Sequence, residues 1–271
     1  MDIYQKVKAF YKGAKTEKKI IGKSLFGRNI FALKIGEGAP VGIAQYAIHG
    51  REYITAELAL SHFERGVYKG SVWLLPLVNP DGALLSEIGI ASVTRQRNKK
   101  RLLLQNKEKD FSQWKANGRG VDLNVNFPAR WGTGAKNTLT AGAENCIGAF
   151  PCSEPESLAL KNFTEKIRPD YTVSYHTKGE EIYWYFYQST RTCLRDKRLA
   201  NVLSRATGYP LADAGNSAGG YKDWCIQRFH IPSFTVEVGQ EAFSHPLQGE
   251  EVLRDIIQKN QSALYELSKE I

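Results

Sequence analysis

The chain has 271 residues, 42% of them hydrophobic, enough for a full buried core, and it reads as one domain over residues 1–271 with no linker or internal repeat. Lys plus Arg number 37 against 28 Asp plus Glu, a charge of +9 that favours anionic partners, but no basic motif interleaved with aromatics accompanies it and nucleic acid is not the expected partner. No apolar run reaches the length of a membrane span, and the start MDIYQKVKAFYKGAKTEKK lacks the apolar core of a secretory signal, so a cytoplasmic protein with reduced thiols at Cys146, Cys152, Cys193 and Cys225 is expected.

In chain order, IFALKIG and VGIAQYAI read as strands, TAELALSHFER as a helix and SVWLLPLV as a third strand. The basic run RQRNKKR at 95–101 reads as a solvated face. The Gly-rich stretch 132–148 is too long and polar for a simple connection and is expected to shape a cleft; it carries no phosphate-cradling pattern. SEPESLALKNFTEKI reads as a helix with Ser153 as cap and Glu156 as its reciprocal partner. DYTVSYH and EIYWYFY follow as strands, then the helix DKRLANVLSRATG, the strand SFTVEV and a long terminal helix EEVLRDIIQKNQSALYELSKEI. Such alternation predicts an α/β fold: a mixed central β-sheet with helices on both faces.

The chemistry collects at the strand ends. In YAIHGREYITAEL, His49 and Glu52 stand three apart on the turn leaving an apolar strand, a spacing that lets both aim donor atoms at one point and suits a His₂Glu zinc site. Of the four other histidines, His176 is the best placed for the third ligand, because it ends a strand and sites collect outside strand C-termini. His62 reads as a helix residue, His230 as structural and His245 as a loop residue. A hydrolytic site also needs a carboxylate to take a proton from water, and Glu237, in the otherwise apolar IPSFTVEVGQ, fills that role; the alternative is a Glu paired with a buried cation. Lys178, two residues past His176, is placed to meet a substrate carboxylate, and Tyr183 to Tyr187 are placed to line a groove.

His49 and Glu52 in HxxE, NPDG at 79–82, GVDLNVNF at 120–127, the His176 strand end and FTVEVG around Glu237 occur in the order found in the zinc carboxypeptidase (M14) family, which the chain resembles. The resemblance implies one Zn²⁺ per chain on His49, Glu52 and His176, with Glu237 as general base and acid. It implies Asp122 as the carboxylate that orients the first ligand His. It places Asn124, of the DLN triplet, at the substrate. Where members that remove C-terminal residues carry a carboxylate-gripping Arg, this chain has Val125. Their clamping Tyr falls at Gly215 here, with Tyr221 as a substitute. The oxyanion-stabilising cation maps to Lys115, nine residues before Asn124, with Arg95, Arg97 and Arg119 as alternatives.

A narrower resemblance runs through IGKSLFGRNIFALKIG, WKANGRGVDLNVNFPARWGTG, YHTKGEEIYW, SAGGYKDWC and IPSFTVEVG. These segments are similar to the bacterial γ-D-glutamyl-meso-diaminopimelate peptidase branch, which cleaves the amide between D-Glu and diaminopimelate in peptidoglycan stem peptides. The resemblance thus implies a small muropeptide partner. Removal of ordinary C-terminal residues, deglutamylation and catalytically idle muropeptide binding are the competing readings.

Overall fold

The computed structural model describes residues 1–213 and 215–271. The chain opens with α1 (Ile3–Gly13), β1 (Lys18–Lys23), β2 (Asn29–Gly36), β3 (Val41–Tyr46), α2 (Ile54–Arg65), β4 (Ser71–Leu75), α3 (Pro80–Ile88) and α4 (Gln96–Asn106). A long irregular stretch then leads to α5 (Pro155–Ile167), β5 (Tyr171–His176), β6 (Glu181–Tyr183) and α6 (Thr190–Thr207). The order ends with β7 (Leu211–Ala212), α7 (Tyr221–Phe229), β8 (Ser233–Glu237), α8 (Glu250–Asn260) and α9 (Ala263–Glu270).

The strands form one mixed sheet of 8, in the order β1-β2-β4-β3-β5-β8-β6-β7. Its centre, β4-β3-β5-β8, is parallel, while β1, β2 and β6 add antiparallel pairings. Central parallel strands are covered on both faces, which is why SVWLL and YTVSYH are buried along their whole length. Tyr46, Val173, Tyr175 and Val236 pack on one face against Leu58, Leu199 and Leu264 from α2, α6 and α9. On the other face Ile43 and Trp73 meet Leu160 and Phe163 of α5 and Trp224 and Ile226 of α7.

After β3 the chain passes through α2 to β4 on one side, whereas β5 lies on the other side of β3. Connections that diverge from neighbouring parallel strands leave a crevice at their C-terminal ends. His49 follows β3 and His176 ends β5, so two expected ligands flank this crevice.

Three local expectations differ from the structure. EIYWYFY is strand only over Glu181–Tyr183. The terminal helix breaks between α8 and α9, where the Asn260 carbonyl accepts a hydrogen bond from His62 Nε2 at 2.9 Å and the Asn260 side chain donates to Tyr209 Oη and the Ile256 carbonyl. Ser153 does not cap α5: Glu154 occupies the cap position and Pro155 opens the helix. Glu156 instead accepts from the Leu25 N–H at 2.8 Å and from Asn117 Nδ2 at 3.0 Å, tying the turn after β1 to α5. All four cysteines are free thiols. Among the described residues no helix is long and apolar enough to cross a membrane.

Candidate active site

The turn after β3 is shaped by close packing. A Cβ on Gly50 would sit 2.5 Å from the Gly82 backbone, and the Gly50 N–H donates to the Lys115 carbonyl at 2.8 Å. The tight 3₁₀ turn Gly50–Glu52 brings His49 Nδ1 to 2.8 Å from Glu52 Oε1. His176 Nδ1 lies 3.0 Å from Glu52 Oε2 and 3.1 Å from His49 Nδ1. The donor atoms of these three buried residues lie within 4.8 Å of one another.

Two imidazole nitrogens and a carboxylate turned toward one point are three Lewis bases, an arrangement that a divalent cation satisfies better than hydrogen bonds can. The two-nitrogen, one-oxygen set, with the cavity as an open side, fits the requirements of a catalytic zinc. Burial raises the Glu52 carboxyl, but the facing His49 and His176 outweigh it and hold it well below the usual carboxylate range. Burial likewise lowers His176, yet Glu52 more than compensates and its pKa stands above the ordinary value.

Asp122 supports His49 from behind. Its Oδ1 is 3.3 Å from His49 Nε2, without hydrogen-bond alignment, and its Oδ2 is 3.1 Å from Lys115 Nζ. Burial raises Asp122, but Lys115 and His49 hold it well below the carboxylate range. Lys115 is pushed down by burial and up more strongly by Asp122 and Glu52, so it stays charged.

The stretch 132–148 does not line the cavity beside His49 and His176; it buttresses Lys115 and Asp122. The Ala143 carbonyl accepts from the Lys115 and Ala116 N–H groups at 3.0 and 2.8 Å, and the Asn145 N–H donates to Asp122 Oδ2 at 3.2 Å.

That cavity, of about 220 Å³, is lined by His49, His176, Lys115, Asn124, Lys222 and Glu237 among others. Glu237 ends β8 in register with His176 rather than standing in mid-strand, and it is crowded by protein on every side but the cavity, through which it stays partly accessible. This desolvation pushes its pKa up to about 8, against the opposing pull of His176. Asn124 reaches the cavity while its Oδ1 accepts from the Tyr221 N–H at 3.1 Å.

Two expected substrate contacts lie elsewhere. Lys178 is drawn away to Glu241, with Nζ 3.1 Å from Oε1. Tyr221 is no substitute clamp: it is fully buried, its hydroxyl 2.8 Å from Thr164 Oγ1. The alternative cations are remote as well. Arg119 pairs with Glu154 at 3.0 Å, Arg97 is exposed, and Arg95 lines a separate hollow with Tyr4 and Arg28. Sequence reasoning missed Lys222, one position after Tyr221 in the quoted SAGGYKDWC. Its side chain is only 7% exposed, and its Nζ donates to Asp223 Oδ1 at 2.6 Å and to the Tyr185 carbonyl at 3.0 Å.

A converging His–Glu–His set at the C-terminal edge of a mixed α/β sheet, with a carboxylate one strand away, defines the class: a metallopeptidase of carboxypeptidase-like fold. The model of the zinc carboxypeptidase family matches residues 3–262, and the chain belongs to that family, whose members are zinc-dependent. It is 32% identical over 238 residues to gamma-D-glutamyl-L-diamino acid endopeptidase 1 of Lysinibacillus sphaericus, a match covering 81% of this chain and 59% of that protein. The chain thus spans less than two thirds of that relative's length. In fold it is similar to bovine thrombin-activatable fibrinolysis inhibitor in complex with tick carboxypeptidase inhibitor, with TM-score 0.78, 18% identity, and 99% of this chain and 96% of that one covered. The murein-tripeptide amidase MpaA of Escherichia coli O157 gives TM-score 0.63 at 21% identity, covering 96% of this chain and 95% of that one.

Proposed function

We propose that this chain, read as a single catalytic domain over residues 1–271, hydrolyses the amide between the γ-carboxyl of D-Glu and diaminopimelate in peptidoglycan stem peptides, and that one zinc ion per chain is held by His49, Glu52 and His176. The observation that carries this reading is the joining of that donor set and Glu237 around one small cavity, in a chain where Val125, not a cation, follows Asn124 in the sequence. The relative from Lysinibacillus sphaericus, named for a γ-D-glutamyl-diamino acid bond, supports the choice of substrate.

When bound, zinc supplies Lewis-acid polarisation and lowers the pKa of water. The protein's own groups carry the rest. Glu237, whose carboxyl opens on the cavity, takes the proton of the attacking water and delivers it to the amine nitrogen as the C–N bond breaks. The Lys115 ammonium meets the negative charge that develops on the carbonyl oxygen. Asp122 keeps both Lys115 charged and His49 oriented. The expected site of action is the cytoplasm.

The test is incubation of zinc-loaded protein with L-Ala-γ-D-Glu-meso-diaminopimelate and, in parallel, a panel of ordinary peptides, with products read by mass. Chelator-sensitive release of diaminopimelate alone supports the proposal. Release of ordinary C-terminal residues instead points to a carboxypeptidase and overturns it.

A further inference from the structure

The basic run at 95–101 forms the cap and first turns of α4, and nothing in the mechanism above uses it. Residues 88–107 carry six cations, Arg95, Arg97, Lys99, Lys100, Arg101 and Lys107, and no carboxylate. None of the six enters an ion pair among the described residues, although Arg119 close by is paired with Glu154. The first acids beyond them, Glu108 and Asp110, follow the end of the helix, and Asp110 is turned onto the Ser112 N–H and hydroxyl at 2.8 Å.

Such a concentration of charge works against the helix itself. Arg97 stands three residues before Lys100 and four before Arg101, so like charges adjoin on the helix surface and repel. Burial, followed by Arg119 and Arg97, lowers the Arg101 pKa from its ordinary value against the pull of Glu154. An anionic surface laid against α4 relieves that repulsion.

The leucines of α4 are not all turned toward a core. Only Leu102 is buried, in a cluster with Leu85, Val93 and Trp114. Leu104 lies about 200° round the helix from it and is 80% exposed, and Leu103 is 39% exposed. Arg97, Lys100 and Leu104, all exposed, form one outward row at spacings of three and four residues, with Lys107 at its end. A bare leucine set between cations matches the interface of an anionic bilayer, where ammonium and guanidinium groups meet headgroup phosphates and leucine enters the acyl boundary. A nucleic acid offers the charge but not the apolar layer, and residues 88–107 hold no aromatic ring on which a base would stack.

We propose that α4 is a peripheral membrane-docking face, with Arg97, Lys100 and Lys107 on the phosphates of anionic lipids and Leu104 inserted between them. The face is separate from the catalytic cavity, so this inference requires neither the metal nor the reaction proposed above. A short path joins the two: Leu102 shares its cluster with Trp114, which precedes Lys115, and Arg101 donates to the Gly118 carbonyl at 2.8 Å. Docking through α4 thus anchors the protein by the segment that leads to Lys115.

The test is sedimentation of the full chain with vesicles made of equal parts phosphatidylglycerol and phosphatidylcholine, and with vesicles of phosphatidylcholine alone. Binding to the first and not to the second is expected, weakening as salt rises to about 0.5 M. Arg97→Gln with Lys100→Gln should lower the partition coefficient at least about tenfold, and Leu104→Ser about tenfold. All three side chains are exposed and make no hydrogen bond among the described residues, so these changes leave the fold intact. Lys12→Gln with Lys15→Gln, an equal loss of charge at exposed positions in and just after α1, is the control and should change binding less than about twofold.

No binding to the anionic vesicles overturns the inference. So does an equal loss in the control pair, which would mean attraction by the net charge of +9 alone. Unchanged binding in Leu104→Ser overturns it as well; if Arg97→Gln with Lys100→Gln then abolishes retention of a single-stranded oligonucleotide, the face belongs to nucleic acid instead.

Discussion

His176 and Glu237 are register partners on adjacent parallel strands, each the last residue of its strand. The pairing places the proposed ligand and the proposed proton carrier at one crevice without any loop having to fold over it, and alternation along both strands turns the two side chains to the same sheet face. It also separates their roles, because His176 is held by Glu52 whereas Glu237 opens on the cavity. Glu237→Gln keeps the shape and removes the proton acceptor. The expected result is unchanged zinc content by elemental analysis with kcat lowered about 10²–10⁴-fold; full turnover in this variant would refute the assignment.

His176→Ala removes one of three donors from a set with no spare donor among the described residues. The variant should emerge from dialysis against a weak chelator without stoichiometric zinc, while the parent retains it. Asp122→Asn is predicted to be milder, weakening zinc binding about 10–100-fold, since it leaves the ligands in place and loosens the orientation of His49. Parent-like affinity in both variants would show that the metal is held elsewhere.

Lys115 is assigned to charge that exists only as the carbonyl is attacked, so its loss should appear in kcat more than in KM. Lys115→Met is expected to lower kcat by about 10²–10³-fold, and Lys115→Arg to recover part of that loss. A change confined to KM would make Lys115 a ground-state substrate contact instead.

The three central strands β3, β5 and β8 were legible because each is an apolar run that ends in, or just before, a residue with chemistry: His49, His176 and Glu237. The flanking α1, β1, α3, α4 and α7 were not. β1, KKIIGK, is an edge strand without clean alternation, and α3 and α7 are 9 residues each, too short for a helical period to stand out. Their starts are set by contacts that cannot be read from spacing, such as Asn79 accepting from the Gly82 N–H at 2.9 Å. The misplacement of Tyr221 has the same origin: one residue along a helix turns a side chain by about 100°, so Tyr221 faces the core at Thr164 while Lys222 faces the cavity. Lysines are mostly exposed, and only the packing of α7 against the sheet reveals a buried one.

His62 offers a test of the core away from the reaction. It is fully buried, its Nδ1 accepts from the Tyr46 hydroxyl at 2.7 Å and its Nε2 donates to the Asn260 carbonyl at 2.9 Å, so the neutral ring satisfies both neighbours. Burial pushes its pKa down from 6.5 to about 4. Between those values the unfolded chain binds a proton that the folded chain does not, so stability is full above the unfolded value and falls as the pH drops toward the folded one. The loss is on the order of 3 kcal/mol across that window. Because the neighbouring Glu52 and His176 are also shifted in the metal-free protein, the quantity to measure is a difference: urea unfolding of metal-free parent and His62→Gln at intervals across the same pH range. The parent should lose stability more steeply than the variant as the pH falls. Parallel curves would mean that His62 protonates in place, with Tyr46 turning to accept from it, and that the seam between α2 and α8 is more pliable than its packing implies.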